Sequence, residues 1–186
     1  MNRPVPDEVI LGLIKAQPMH GYQLLEKFRD KNQLGRVWTM STSQMYAVLN
    51  RLESQSAVQG REERVSDAPP KTVYSITEIG EKRLQKWLFD KNPPSSIHLI
   101  RVLFLSRLYI AVLLGYDTEP IINKQKEVCE KQLMKFHQDE KKNLSGIERL
   151  TVCFVISQLR SAIAWLEECS AIQLEPLNIK MNSGED

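Results

Sequence analysis

Cysteine and histidine are scarce in this chain, three of each in 186 residues, and that scarcity removes several kinds of chemistry at once. Cys129, Cys153 and Cys169 are widely spaced, form no Cys-x-x-Cys pair and have no histidine at ligand spacing. They are expected to be buried free thiols in a reducing compartment, not a zinc site or a disulfide framework. His20, His98 and His137 belong to no nucleophile and base constellation, and neither a paired carboxylate set nor a glycine-rich phosphate loop accompanies them. The expectation is no enzyme, no metal and no cofactor. No basic stretch near Met1 leads into an apolar run, so no signal peptide is expected. The one long apolar stretch, Leu99 to Leu114, is interrupted by Arg101 and Arg107 and is shorter than the roughly 20 residues a membrane span needs. A cytoplasmic location with no membrane partner follows as the expectation.

An excess of one charge is also missing. The first 91 residues carry 14 Lys+Arg against 11 Asp+Glu, and the remainder 11 against 12. A surplus this small cannot by itself establish nucleic-acid binding, so the pattern of residues must carry any such claim. What the chain does have is 42% hydrophobic and 26% charged residues, the balance of a globular protein.

Val9, Ile10, Leu13 and Ile14 share one helical stripe ahead of Pro18, which predicts a helix from Asp7 to Ala16 with Asp7 as its cap. Gly12 inside it costs about 1 kcal/mol against alanine, so a close backbone contact is expected on that side. A second amphipathic segment, Tyr22 to Lys31, buries Leu24, Leu25 and Phe28. Ser41-Thr42-Ser43-Gln44 then forms a capping box that opens a third helix. Its stripe of Met45, Val48, Leu49 and Leu52 is core, and Ser43, Ala47, Asn50 and Ser54 form a small, polar opposite side. Val58 to Val65 and Lys71 to Ile76 are two short strands joined by Ser66-Asp67-Ala68-Pro69-Pro70, a hairpin with a charged tip. Thr77 caps a further helix, Glu78 to Phe89.

Pro93 and Pro94 mark a linker, and beyond it only helices are expected. The division is residues 1–90 as a winged helix-turn-helix, 91–96 as linker, 97–178 as a helical dimerisation domain and 179–186 as a flexible tail. The fold class is mainly α with a small β-hairpin wing. The Leu99 to Leu114 helix is apolar on nearly every side and must be surrounded by helices. A polar helix, Glu119 to Lys142, follows. The last helix, Ile147 to Gln173, places Val152, Ile156, Leu159, Ile163 and Leu166 at alternating steps of four and three. That spacing predicts a coiled-coil seam closed by a second copy of the chain.

A capped third helix with a slim, hydrogen-bonding outer side can enter the major groove of double-stranded DNA. The expected DNA contacts are Ser41, Thr42, Ser43, Gln44, Tyr46, Asn50 and Arg51 on that helix. His20 and Tyr22 at the start of the second helix, and Arg61, Arg64 and Lys71 on the hairpin, complete the set. Glu62 and Glu63 lie among the wing cations, which leaves a winged-helix protein interaction module without DNA binding as the alternative. Trp87, Trp165 and the helix from Leu99 would supply the walls of any effector pocket.

Ile10-Leu11-Gly12-Leu13-Ile14, Pro18-Met19-His20-Gly21-Tyr22-Gln23-Leu24, Tyr46-Ala47-Val48-Leu49-Asn50-Arg51-Leu52-Glu53 and Val73-Tyr74-Ser75-Ile76-Thr77-Glu78-Ile79-Gly80 follow one another in order. Together these strings resemble the PadR family of transcription regulators over about the first 89 residues. The resemblance implies a winged-helix DNA reader with a helical, two-fold dimerising C-terminal half. It also implies repression of genes until a small molecule, often aromatic, weakens DNA binding. The chain departs from the family pattern where Gln55-Ser56-Ala57 stands in place of a glycine after the third helix, and where Glu62 and Glu63 dilute the wing.

Overall fold

The computed structural model describes residues 4–64, 70–140 and 142–172. Most of the expected hairpin tip, residues 66–69, and the expected tail, residues 179–186, lie outside the described residues. Helix α1 (Asp7–Ala16) is followed by a two-residue strand β1 (Met19–His20) and by α2 (Gly21–Arg29) and α3 (Thr42–Ser54). Strands β2 (Val58–Glu63) and β3 (Lys71–Ile76) and helix α4 (Glu78–Leu88) complete the N-terminal part. The sheet order is β1-β3-β2, antiparallel throughout, with Met19 opposite Tyr74 and Val58 opposite Ile76. The fold is mainly helical with a small wing, and in the N-terminal part β1 is an element that the sequence reading lacks.

The expected cap of α1 needs correction. Pro6 occupies the cap position with no side-chain hydrogen bond, and Asp7 is the first helical residue. Its carboxylate is buried and bonds to Arg51, Nε at 3.0 Å and Nη2 at 2.5 Å, and to Arg83 Nη2 at 3.0 Å. A buried carboxylate must be paired, and two guanidiniums from α3 and α4 do so here.

After α4 the chain runs through α5 (Ile97–Leu99), a π-helical turn (Ile100–Phe104) and α6 (Leu105–Leu113). This rod is inserted among the N-terminal helices. Ile110 fills the notch left by Gly12, where an added Cβ would lie 2.4 Å from Ile110 Cγ2. The expected close approach at Gly12 is therefore present, and its partner is α6. Trp38 Nε1 donates to Ser106 Oγ at 2.8 Å, and Tyr109 Oη donates to Gln33 Oε1 at 3.0 Å. Burial pushes the Tyr109 phenol up to about 12, which keeps it a donor. One apolar cluster consequently runs from Val9 through Leu49 and Ile110 to Leu166.

Helices α7 (Glu119–Glu140) and α8 (Gly146–Ala171) form an antiparallel hairpin, cross-linked by Lys126 Nζ to Glu167 Oε1 at 2.7 Å. The residues expected to form an intermolecular seam lie inside this hairpin. Val152, Ile156, Leu159 and Leu166 are buried and Ile163 half-buried within the single chain. The expected second copy is not what covers them, because α7 folds back along α8. By length and composition α8 is the described helix that could cross a membrane. Two separate apolar faces, set out below, account for that composition.

The Gly12 contact makes a stability prediction. Alanine is the better helix former by about 1 kcal/mol, yet Gly12→Ala should lower stability by about 1–2 kcal/mol in urea unfolding, because Ile110 is fully buried with nowhere to move. Adding Ile110→Val should restore part of the loss. A more stable Gly12→Ala protein would refute the packing described.

Candidate nucleic-acid interface

Helix α3 begins with the capping box that the sequence predicts. Ser41 Oγ accepts from the Gln44 amide at 3.2 Å, and Gln44 Oε1 accepts from the Ser41 amide at 2.9 Å. Ser41, Thr42, Ser43, Gln44, Tyr46, Ala47 and Asn50 are exposed, whereas Met45, Val48, Leu49 and Leu52 are buried. A rigid helix start therefore presents hydroxyls, an amide and small side chains outward. The cap constrains Gln44: one lone pair of its carbonyl oxygen is engaged by the Ser41 amide, while its NH2 group remains available to address a base edge.

The second helix starts with a cap that sequence reasoning missed. His20 Nδ1 accepts from the Gln23 amide at 3.3 Å, while Gln23 Oε1 accepts from the His20 amide at 3.1 Å. The spacing is that of Ser41 and Gln44, but histidine is outside the usual capping set, so the signal passed unread. Burial and the nearby Lys71 hold the His20 pKa below its ordinary value, so the ring is neutral near pH 7 and turns Nε2–H away from the cap. Beside it Gly21 lets the Tyr46 ring approach closely, an added Cβ lying 2.9 Å from Tyr46 Cε1. The start of α2, the first turn of α3 and the tip-side end of β3 thus form one surface carrying His20, Tyr22, Tyr46 and Lys71.

The wing contributes less than its cations suggest. Arg61 stands opposite Val73, Lys71 stands opposite Glu63, and Arg64 Nε lies 3.6 Å from Glu62 Oε1. Arg51 departs from the expected grouping altogether. Its guanidinium turns toward Asp7, whose hydrogen bond raises the Arg51 pKa further. That places it in the ion cluster beneath α1.

The end of α3 shows how the chain manages without the family glycine. Ser56 adopts φ 55°, donating its amide to Glu53 O at 2.9 Å, and Ala57 donates to Leu52 O at 2.9 Å. This is a Schellman turn built on a serine in the left-handed region. Glu53 Oε1 then accepts from the Gly60 amide at 3.0 Å and ties the helix end to β2.

A cavity of about 480 Å³ opens between the Ile97 to Leu105 rod and α8, with Trp165, Phe154, Arg101 and Gln158 in its lining. Trp165 meets Phe104 edge-on at 5.7 Å. Trp87, also expected in such walls, instead lies under Arg107, 5.7 Å from its guanidinium carbon.

Residues 10–86 match the model of the transcriptional regulator PadR-like family. The chain carries a PadR-like domain. The negative transcriptional regulator PadR of Bacillus subtilis is 27% identical over 103 residues, which are 53% of this chain and 56% of that protein. A probable transcriptional regulator of Mycobacterium tuberculosis is 28% identical over 91 residues, 49% of this chain and 47% of that protein. The matched stretch thus spans about half the length of these relatives. Among solved structures, Bacillus subtilis PadR in complex with operator DNA is similar at 20% identity and a TM-score of 0.47, over 92% of this chain and 99% of that one. The family is one of transcriptional regulators, and no group of three or more His, Cys, Asp or Glu that could hold a metal ion occurs among the described residues.

The placement of Arg51 separates folding from recognition. Arg51→Ala should lower stability by about 1–2 kcal/mol, because Arg83 alone would compensate the buried Asp7 carboxylate. Thermal melts of Arg51→Ala and Asn50→Ala read this directly, and only the arginine variant should show the loss. Equal melting temperatures for Arg51→Ala and the parent chain would place the guanidinium outside the cluster.

Proposed function

We propose that this chain is a homodimeric, DNA-binding transcriptional repressor that presents α3 to the major groove at the two half-sites of a palindromic operator. The observation that carries the reading is the outward face of α3, capped, slim and polar, next to the joined surface of His20, Tyr22, Tyr46 and Lys71. Ser43 and Asn50 contact bases, the neutral His20 Nε2–H and the tyrosine hydroxyls donate to phosphates, and Arg61 follows the backbone from the wing. Two α3 helices about 34 Å apart would fit successive turns of one duplex.

Helix α8 supports pairing by a face other than the expected seam. Ile147, Leu150 and Phe154 are 76%, 67% and 62% exposed and lie on one stripe that continues through Gln158 and Ser161 to Trp165. A second copy laid along this stripe would bury it and roof the cavity beside Trp165. A small aromatic effector in that cavity would act on the π-helical turn, and through Ser106 and Trp38 on the approach to α3. Residues 1–90 serve as the reader, 91–96 as linker and 97–178 as the dimerising part.

The Arg64 and Glu62 pair favours the second reading, a protein interaction module. Binding of the full chain to fragments selected from random DNA decides between them. Repressor binding should select a palindrome and weaken steeply with salt, and Asn50→Ala should reduce discrimination between operators by about 1–3 kcal/mol. Salt-independent binding with no preferred sequence would favour the protein module.

Phe154→Glu should convert the dimer to monomers in sedimentation while the helix content is retained, since the residue is exposed in the single chain. Ile156→Glu should instead unfold the α7 and α8 hairpin, because it would bury a charge in the chain's own core. A Phe154→Glu protein of unchanged mass would remove this face from the interface.

A further inference from the structure

Arg107, on α6, is the least satisfied charge in the described structure. It is 3% exposed, its Nη2 donates to Asp90 Oδ2 at 3.2 Å, and its Nε has no hydrogen-bond partner among the described residues. The ring of Trp87 covers its guanidinium. A guanidinium removed from water needs both counter-charge and acceptors, and one half-exposed carboxylate supplies only part of each. Burial accordingly draws the Arg107 pKa below its usual value, against the pull of Asp90 and Glu8.

A separate cavity of about 350 Å³ lies against this side chain. Lys91 and Lys124 line it together with Arg107, and Asp90 is the one carboxylate in the lining. Lys124 Nζ also donates to Glu127 Oε2 at 2.7 Å outside it, so Arg107 and the exposed Lys91 carry most of the local excess and Lys124 must share its charge between Glu127 and a ligand. Phe89, Pro93, Pro120 and Ile121 supply apolar wall, which lowers the local dielectric and strengthens any charge pairing inside. A water molecule would give Nε a partner but no charge. A neutral ligand would leave the cationic excess as it is. An oxyanion satisfies both, because its oxygens match the arginine fork while the lysines close on it from the rim.

We propose that this cavity is a binding site for a compact oxyanion carrying two or more negative charges, such as a phosphate group or a short polycarboxylate, held by Arg107, Lys91 and Lys124. The site is distinct from the Trp165 cavity and does not rest on the DNA reading. Arg107 belongs to α6, Asp90 and Lys91 to the segment after α4, and Lys124 to α7. The bound anion therefore joins three segments that meet where the PadR-like domain gives way to the helical hairpin.

Calorimetric titration and thermal melting of the full chain with inorganic phosphate and with citrate, against sodium chloride at matched ionic strength, test the site. At least one oxyanion should bind saturably and raise the melting temperature where chloride does not. Phosphate alone points to a phosphorylated metabolite, and citrate alone or with phosphate to a polycarboxylate. Lys91→Glu, at an exposed position, should weaken binding about tenfold without changing the parent fold, a difference of about 1.4 kcal/mol. Arg107→Met should abolish it, and should that variant fail to fold, Arg107→Lys keeps the charge but loses the fork. An equal chloride response, or oxyanion binding unchanged in Lys91→Glu and the folded Arg107 variant, would overturn the proposal.

Discussion

The close approach of α1 and α6 is the constraint on which the rest of the molecule depends. Gly12 brings the α1 backbone onto Ile110, and the same short rod holds Ser106 against Trp38 and Arg107 over Trp87. The helix leading to the α7 and α8 hairpin is thus gripped by α1, by the segment before α3 and by α4. Burying one isoleucine side chain fully contributes about 1.5–3 kcal/mol, so sliding this rod would cost several such contacts together. The winged helix and the hairpin share one apolar core, and Ser106, two residues beyond the π-helical turn, is bonded directly to Trp38.

Charge is distributed in a way that the formal count conceals. In the N-terminal part Arg51 and Arg83 neutralise Asp7 and Glu8, Arg64 lies near Glu62, and Lys82 bonds to Glu78. These cations hold the winged helix together or meet local carboxylates, so the electrostatic attraction available to a polyanion is smaller than the number of basic residues implies. On the proposed repressor reading, hydrogen bonds from α3 and the tyrosines carry more of the discrimination than bulk charge does.

Local signals in the sequence proved legible, and long-range ones did not. The Ser41 to Gln44 box, the Thr77 cap, the hairpin and the Gly12 anomaly are each encoded within a few residues, and each is present. The two-residue β1 is too short to leave an alternating pattern. Asp7 has the residue type and position of a cap, and nothing nearby in sequence announces that Arg51 and Arg83, from α3 and α4, will claim it. The same reasoning placed Arg51 with the expected DNA contacts without sight of its bond to Asp7: a helix face is visible in the chain, but the partner waiting on the other side of it is not.

Helix α8 makes the point most sharply. A spacing of four and three states that one stripe will be buried, and Val152, Ile156, Leu159 and Leu166 are. It does not state which helix buries them. At about 100° per residue, the Ile147, Leu150 and Phe154 stripe lies roughly 160° round the axis from that seam, so α7 cannot cover both. An intramolecular hairpin satisfies the regular heptad positions, and the irregular stripe, with its serines and Gln158 among the large side chains, is left to solvent. Such a mixed face suits a contact that must form between folded chains and still leave a cavity beneath it, whereas a strict coiled-coil seam would close every gap.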